Sequence, residues 1–129
     1  MLGTSSLAVA FGGALGSLAR YWLGLLLPGG TLPWATILAN VSGSFVIGLV
    51  ATGTAAGAPG SVLGETGRLF LMVGLCGGYT TFSSFSLQTL SLLQAGRVGP
   101  ALANVALSVL LCLAAVWLGT QAGATLGGR

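Results

Sequence analysis

The sequence predicts an all-α membrane protein of four transmembrane helices, the third broken near its middle, inserted as an antiparallel dual-topology dimer. Three observations carry this expectation. Of 129 residues, 54% are hydrophobic and only 4% are charged, with a mean hydropathy of +1.00. Soluble domains carry about 25% charged residues, so a soluble fold is excluded. The charges Arg20, Glu65, Arg68, Arg97 and Arg129 separate uncharged runs of 19, 44, 28 and 31 residues. Divided into spans of about 20, these give four crossings. Finally, the run from Leu69 to Gly96 would make a helix of about 42 Å at roughly 1.5 Å per residue. That exceeds a hydrocarbon core of about 30 Å, so the helix must tilt, protrude or break.

The first span, about residues 5–27, carries Gly12 and Gly16 four apart on one face, a small-xxx-small packing stripe. No Lys or Arg precedes it, so it reads as a retained helix and not as a cleaved leader. Arg20, beside Tyr21 and Trp22, reads as an arginine snorkelling to the headgroups or as a cationic lure at the mouth of an anion path. Pro28-Gly29-Gly30-Thr31-Leu32-Pro33 is a tight turn that returns the chain. In the second span, about 34–56, Thr36, Asn40 and Ser44 line one helix face. Interhelical hydrogen bonding and the lining of a pathway account for them equally well.

A polar connection from Gly57 to Gly64 leads to Glu65 and Arg68, spaced as a surface pair in the first turn of the third span, about 65–95. The break is expected near 76–80, where Gly77-Gly78 precede Tyr79-Thr80-Thr81. Unwound backbone inside a bilayer is tolerated only where it is buried in protein or faces a water-filled or ion-filled site, so this stretch is expected to hold an ion. Arg97-Val98-Gly99-Pro100 turns the chain into a fourth span, about 100–122, with Asn104 and Ser108 one turn apart, and Gly123 to Arg129 is expected to fray. Alternating helices place Arg68 and Arg129 on one side and Arg97 and the Arg20 end on the other. That even split gives no orientation bias, and insertion both ways leads to the antiparallel dimer.

No carboxylate lies in the membrane-buried part of any span, which argues against proton-coupled transport. Hydroxyls, carboxamides and aromatic edges remain, and these can replace water around a small anion. Phe82 and Phe85 are one turn apart, flanked by serines and threonines just past the expected break. Carbonyls freed near Gly77 and Thr80 would suit a cation such as Na⁺. With no histidine and no CxxC, Cys76 and Cys112 read as small buried packing residues and not as a metal site or a disulfide.

Gly77-Gly78-Tyr79-Thr80-Thr81-Phe82-Ser83-Ser84-Phe85-Ser86 resembles the third-helix signature of the Fluc (CrcB) fluoride channels. Gly12-Gly13-Ala14-Leu15-Gly16-Ser17-Leu18-Ala19-Arg20-Tyr21 and Asn40-Val41-Ser42-Gly43-Ser44-Phe45 resemble their first- and second-helix motifs. The resemblance covers essentially the whole chain. It implies a non-enzymatic, passive F⁻ channel with two pores per antiparallel homodimer, in the plasma membrane of a microbe, lowering cytoplasmic fluoride. Phe82, Phe85 and Asn40 would be pore residues, with Thr36, Ser83, Ser84 and Ser108 as polar lining. Arg20 would stand at the anion vestibule, and the Gly77 and Thr80 carbonyls would hold a structural Na⁺ on the dimer axis. Two departures are Gln88, where the family usually has Glu, and Asn104, where it often has an aromatic hydroxyl.

Fluoride and the lipid bilayer are thus the expected partners, with no nucleic acid. Alternatives are a small dual-topology multidrug exporter, which should carry an embedded Glu in its first span, and the pairing subunit of a heterodimeric fluoride channel.

Overall fold

The computed structural model describes residues 2–54 and 63–127. Helix α1 spans Leu2–Leu26 and α2 spans Trp34–Gly53. The third crossing joins α3 (Glu65–Arg68), wide π-type turns over Leu69–Cys76, α4 (Gly77–Tyr79) and α5 (Phe82–Gln94), and α6 covers Val98–Gly127. Four stretches are long and apolar enough to cross a membrane: Gly3–Leu26, Trp34–Gly53, Glu65–Gln94 and Val98–Gly127. The expected end of the second span at Ala56, most of the connection from Gly57 to Gly64, and Arg129, on which the even split of arginines depends, lie outside the described residues.

Burial differs from that of a water-soluble protein, since polar residues share the interior with mostly small apolar ones while many large apolar ones face outward. Asn104 is fully buried, and Thr36 and Ser108 are buried, while Phe11, Trp22, Leu26, Leu110 and Trp117 stand exposed. Lipid supplies no hydrophobic drive between helices, so close backbone approach and interhelical hydrogen bonds hold the interior. Helix α2 packs along α6, and α1 packs along the first half of the third crossing. Glycines set both approaches. A Cβ on Gly16 would fall on the Leu75 carbonyl oxygen and lie 2.7 Å from the Tyr79 amide nitrogen. Between α2 and α6 the Thr52 hydroxyl also donates to the Thr120 carbonyl at 3.0 Å.

The interruption falls later than the glycine pair suggests. Gly77 is helical (φ −62°, ψ −38°), and α4 runs on through Tyr79. Thr80 (φ −82°, ψ 157°) and Thr81 (φ −155°, ψ 115°) are the extended residues. The physical reason is that Gly78 serves close packing, since a Cβ there would lie 3.0 Å from the Gly13 Cα. The β-branched threonines take the extended conformation that suits them.

The fourth helix also departs from expectation. It begins at Val98, ahead of Pro100, and the stretch from Gly123 is helical to Gly127 instead of frayed. Contact with α2 explains the continuation, because a Cβ on Gly123 would sit 2.5 Å from the Leu49 carbonyl oxygen and 2.8 Å from the Gly53 amide nitrogen. Arg68 has Thr54 as its described partner in place of Glu65, donating to its carbonyl and, at 2.9 Å, to its hydroxyl. At the other end of the third crossing, Gly96 (φ 73°) closes α5, with Arg97 N–H donating to Leu92 C=O at 2.8 Å and Gly96 N–H to Leu93 C=O at 3.0 Å. A left-handed residue after the last helical turn is the usual way to satisfy those carbonyls, and it suits glycine.

Candidate functional site

The site is built on the break. Thr81 caps α5 at its N-terminus, its Oγ1 accepting from Ser84 N–H at 3.2 Å. Its backbone is held by α2: Thr81 N–H donates to Asn40 Oδ1 at 2.7 Å, and Asn40 Nδ2 donates to Thr81 C=O at 3.1 Å. One carboxamide thus supplies both hydrogen bonds that an extended residue would otherwise draw from a neighbouring strand. Each bond is worth about 1 kcal/mol net, but each group left bare and buried would cost about 1–3 kcal/mol. Upstream, the Ser42 and Tyr79 hydroxyls meet at 3.0 Å, and Thr80 Oγ1 donates to Cys76 C=O at 2.8 Å.

Two of the carbonyls here lose their helical donors to side chains. In an unbroken helix Gly77 C=O would accept from Thr81 N–H, and Thr80 C=O from Ser84 N–H. Side chains divert both amides, to Asn40 and to Thr81 Oγ1 respectively. The Gly78 carbonyl between them accepts from Arg20 Nε at 3.2 Å. Arg20 therefore ties α1 to the break while lining a cavity of about 790 Å³ with Thr36, Ser84, Gln88 and Arg97. That cavity has two guanidinium groups and no carboxylate, which favours anions.

On the other side of the break lies a groove of about 450 Å³ lined by Asn40, Gly77, Thr80, Phe82, Phe85 and Ser108, among others. The two rings stand 5.3 Å apart between centroids, tilted by 49°. Phe82 is 77% exposed, so its ring projects from the single chain. The positive rim of an aromatic ring, an amide and a hydroxyl are electropositive groups that carry no net charge. Thr81 lines both cavities.

Residues 7–120 match the protein family described as CrcB-like protein, Camphor Resistance (CrcB). The chain belongs to the CrcB family. It is 56% identical over 115 residues to a protein of Methylocella silvestris named Fluoride-specific ion channel FluC, with 86% of each chain covered. It is 58% identical over 118 residues to a FluC of Methylobacterium radiotolerans, covering 90% of this chain and 82% of the relative. A FluC of Thermus thermophilus is 49% identical over 125 residues, covering 95% of this chain and 97% of that one. These relatives are named as channels, which is not an enzymatic function.

Within this CrcB chain the residues singled out from sequence divide into two groups. Asn40, Phe82, Phe85 and Ser108 share the smaller groove with Gly77 and Thr80, whereas Thr36, Ser84 and Arg20 line the larger cavity. Ser83 lines neither. It is exposed, with its hydroxyl 3.4 Å from Thr81 Oγ1. Both departures from the family pattern enter a hydrogen-bonded interior. Gln88 Nε2 donates to Thr36 Oγ1 at 3.0 Å, Asn104 Nδ2 to Thr89 Oγ1 at 2.9 Å, and Ser108 Oγ to Asn104 Oδ1 at 3.4 Å. Gln88 Oε1 is buried without a partner among the described residues.

Sequence reasoning counted Thr81 among the polar groups inside the spans but missed its place as cap and clamped residue, and it missed Thr89 altogether. Thr81 carried a readable signal, a Ser/Thr-type cap directly before a helix. Thr89 carried none, because its partner is 15 residues away on another helix. Both cysteines are free and line the smaller groove, with Cys76 buried. The described residues hold no group of three or more His, Cys, Asp or Glu side chains that could hold a metal ion.

Proposed function

We propose that this chain conducts fluoride passively and selectively across a cell membrane, lowering fluoride inside a microbe. The observation that carries the reading is the smaller groove, where two phenylalanine rims, the Asn40 amide and the Ser108 hydroxyl converge with no carboxylate among them. Fluoride is small and strongly hydrated, and a path must replace its water with donors. Neutral donors and ring edges do so without trapping the ion as a fixed cation would. The one acid in the sequence, Glu65, stands at the first residue of the third crossing, which leaves none in the membrane-buried part to couple flux to protons. The names of the close relatives support the same ion.

A second, inverted copy would cover the exposed Phe82 and complete each groove, giving two pores per dimer. The Gly77 and Thr80 carbonyls, doubled across a two-fold axis in the membrane plane, would then surround one Na⁺, a hard cation that takes oxygen ligands. Purified protein in liposomes tests the whole reading. Fluoride efflux should be fast, chloride efflux negligible, cross-linking should stop at two chains, and exchange of Na⁺ for N-methylglucamine should slow the flux. Equal release of chloride would sink the selectivity claim. Trimers, or flux indifferent to Na⁺, would remove the dimer or the axial cation.

Phe82→Ile provides a sharper check on the pore. Because the ring is 77% exposed, its loss should cost the single chain little stability. Efflux should nonetheless fall roughly tenfold, the effect of about 1.4 kcal/mol on the barrier, with the elution volume unchanged. Undiminished efflux would place that ring outside the path.

A further inference from the structure

We infer that Thr81 is the threshold of the conduction path, its hydroxyl acting with that of Ser84 to pass the anion between the Arg20 cavity and the phenylalanine groove. This rests on the fluoride-channel reading. Among the described residues Thr81 is the one that lines both spaces, with Arg20 and Ser84 on one side and Phe82, Phe85 and Asn40 on the other. Any ion moving from one to the other by this route passes it.

The hydrogen bonds around Thr81 fit that role. Asn40 holds the backbone at both its N–H and its C=O, so the side chain is presented from a fixed base. Thr81 Oγ1 accepts from Ser84 N–H at 3.2 Å and donates its single proton to Ser84 Oγ at 3.1 Å. A hydroxyl has one donor and two acceptor sites, so Ser84 Oγ, which accepts here, keeps its own proton for the cavity it lines with Arg20.

An anion drawn in beside Arg20 therefore meets the Ser84 proton first. When Thr81 turns its proton away from Ser84 Oγ and toward the ring side, Ser84 can donate back to Thr81 Oγ1, and the anion finds its next donor across the threshold. Hydroxyl rotation does the work while the heavy atoms stay in place. Before that turn Ser83, 3.4 Å from Thr81 Oγ1 at the exposed edge, can occupy the second acceptor site, which it yields when Ser84 donates back.

Three variants in reconstituted liposomes test this. T81S keeps the hydroxyl and the helix cap, and should stay within about threefold of the unmodified protein, since no hydrogen bond is lost. T81V keeps the branched shape and the backbone clamp but has no proton to give, and should lose flux about tenfold or more. S84A keeps the amide that caps onto Thr81 yet breaks the relay, and should also fall about tenfold. A structural role for Thr81 alone would spare S84A. Either T81V or S84A conducting at the unmodified rate overturns the proposal, and so does a T81S loss as large as that of T81V. If T81V does not elute as a single species, S84A decides. An unmodified protein that releases no fluoride would overturn the channel reading itself, and this proposal with it.

Discussion

Asn40→Asp is expected to lower fluoride efflux by about a hundredfold or more, the consequence of losing about 3 kcal/mol at one position. The carboxamide has two jobs that a carboxylate cannot share. One oxygen could still accept from Thr81 N–H, now 2.7 Å from Oδ1. The other would face the Thr81 carbonyl at the position where Nδ2 donates at 3.1 Å, oxygen against oxygen. The extended pair would loosen, and with it the diversion of the Thr81 amide that leaves the Gly77 carbonyl without its helical donor. The new charge would also stand in the groove with Phe82, Phe85 and Ser108, where an anion is to pass. Efflux from liposomes measures the flux, and the elution profile separates it from unfolding. A variant that elutes normally and conducts at the unmodified rate would show that neither clamp nor charge matters.

The second large effect is expected from one methyl group. Gly16→Ala would drive a Cβ into the Leu75 carbonyl oxygen and to 2.7 Å from the Tyr79 amide nitrogen. Both neighbours are backbone, so no side chain can swing aside, and α1 must move off the third crossing. Overpacking of this kind costs about 1–3 kcal/mol. The displaced segment runs directly into Thr80 and Thr81, so the yield of monodisperse protein and its flux should fall together. Gly13→Ala is the control three residues away, since its Cβ would meet only the Gly74 carbonyl oxygen, at 4.0 Å. Equal thermal stability of the two variants in detergent would mean that the approach of α1 is not what positions the break.

Much of the fold was legible because charge in this chain is so sparse. Arginines and prolines punctuate the apolar runs, and in a bilayer that alone fixes the number of crossings. The polar groups available to a site were legible in type, since hydroxyls, amides and rings make up most of what the spans offer beside Arg20 and two cysteines. The place of the break was legible only to within a few residues, near 76–80, against the extended pair Thr80 and Thr81. Gly77-Gly78 drew attention as a weak point, but glycine in a membrane helix has a second use, close approach, and Gly78 serves it against Gly13. The decisive partner of Thr81 is Asn40, 41 residues earlier, and nothing local in either segment announces the pairing. The wide turns over Leu69–Cys76 likewise left no mark in an apolar stretch with no polar period to read. The frayed tail was misjudged for a related reason, because the glycines that suggest an ending at 123 are contact points with α2.

The carboxamide clamp has a bearing on how such a chain is made. Thr81 cannot leave the helical ladder inside lipid until something else answers its amide and carbonyl, and that something belongs to α2. Synthesis from the N-terminus delivers α2 first, so its receptor for the kink already stands in the bilayer when the third crossing arrives. The order in which the ribosome releases the segments is thus the order in which the finished backbone can be satisfied.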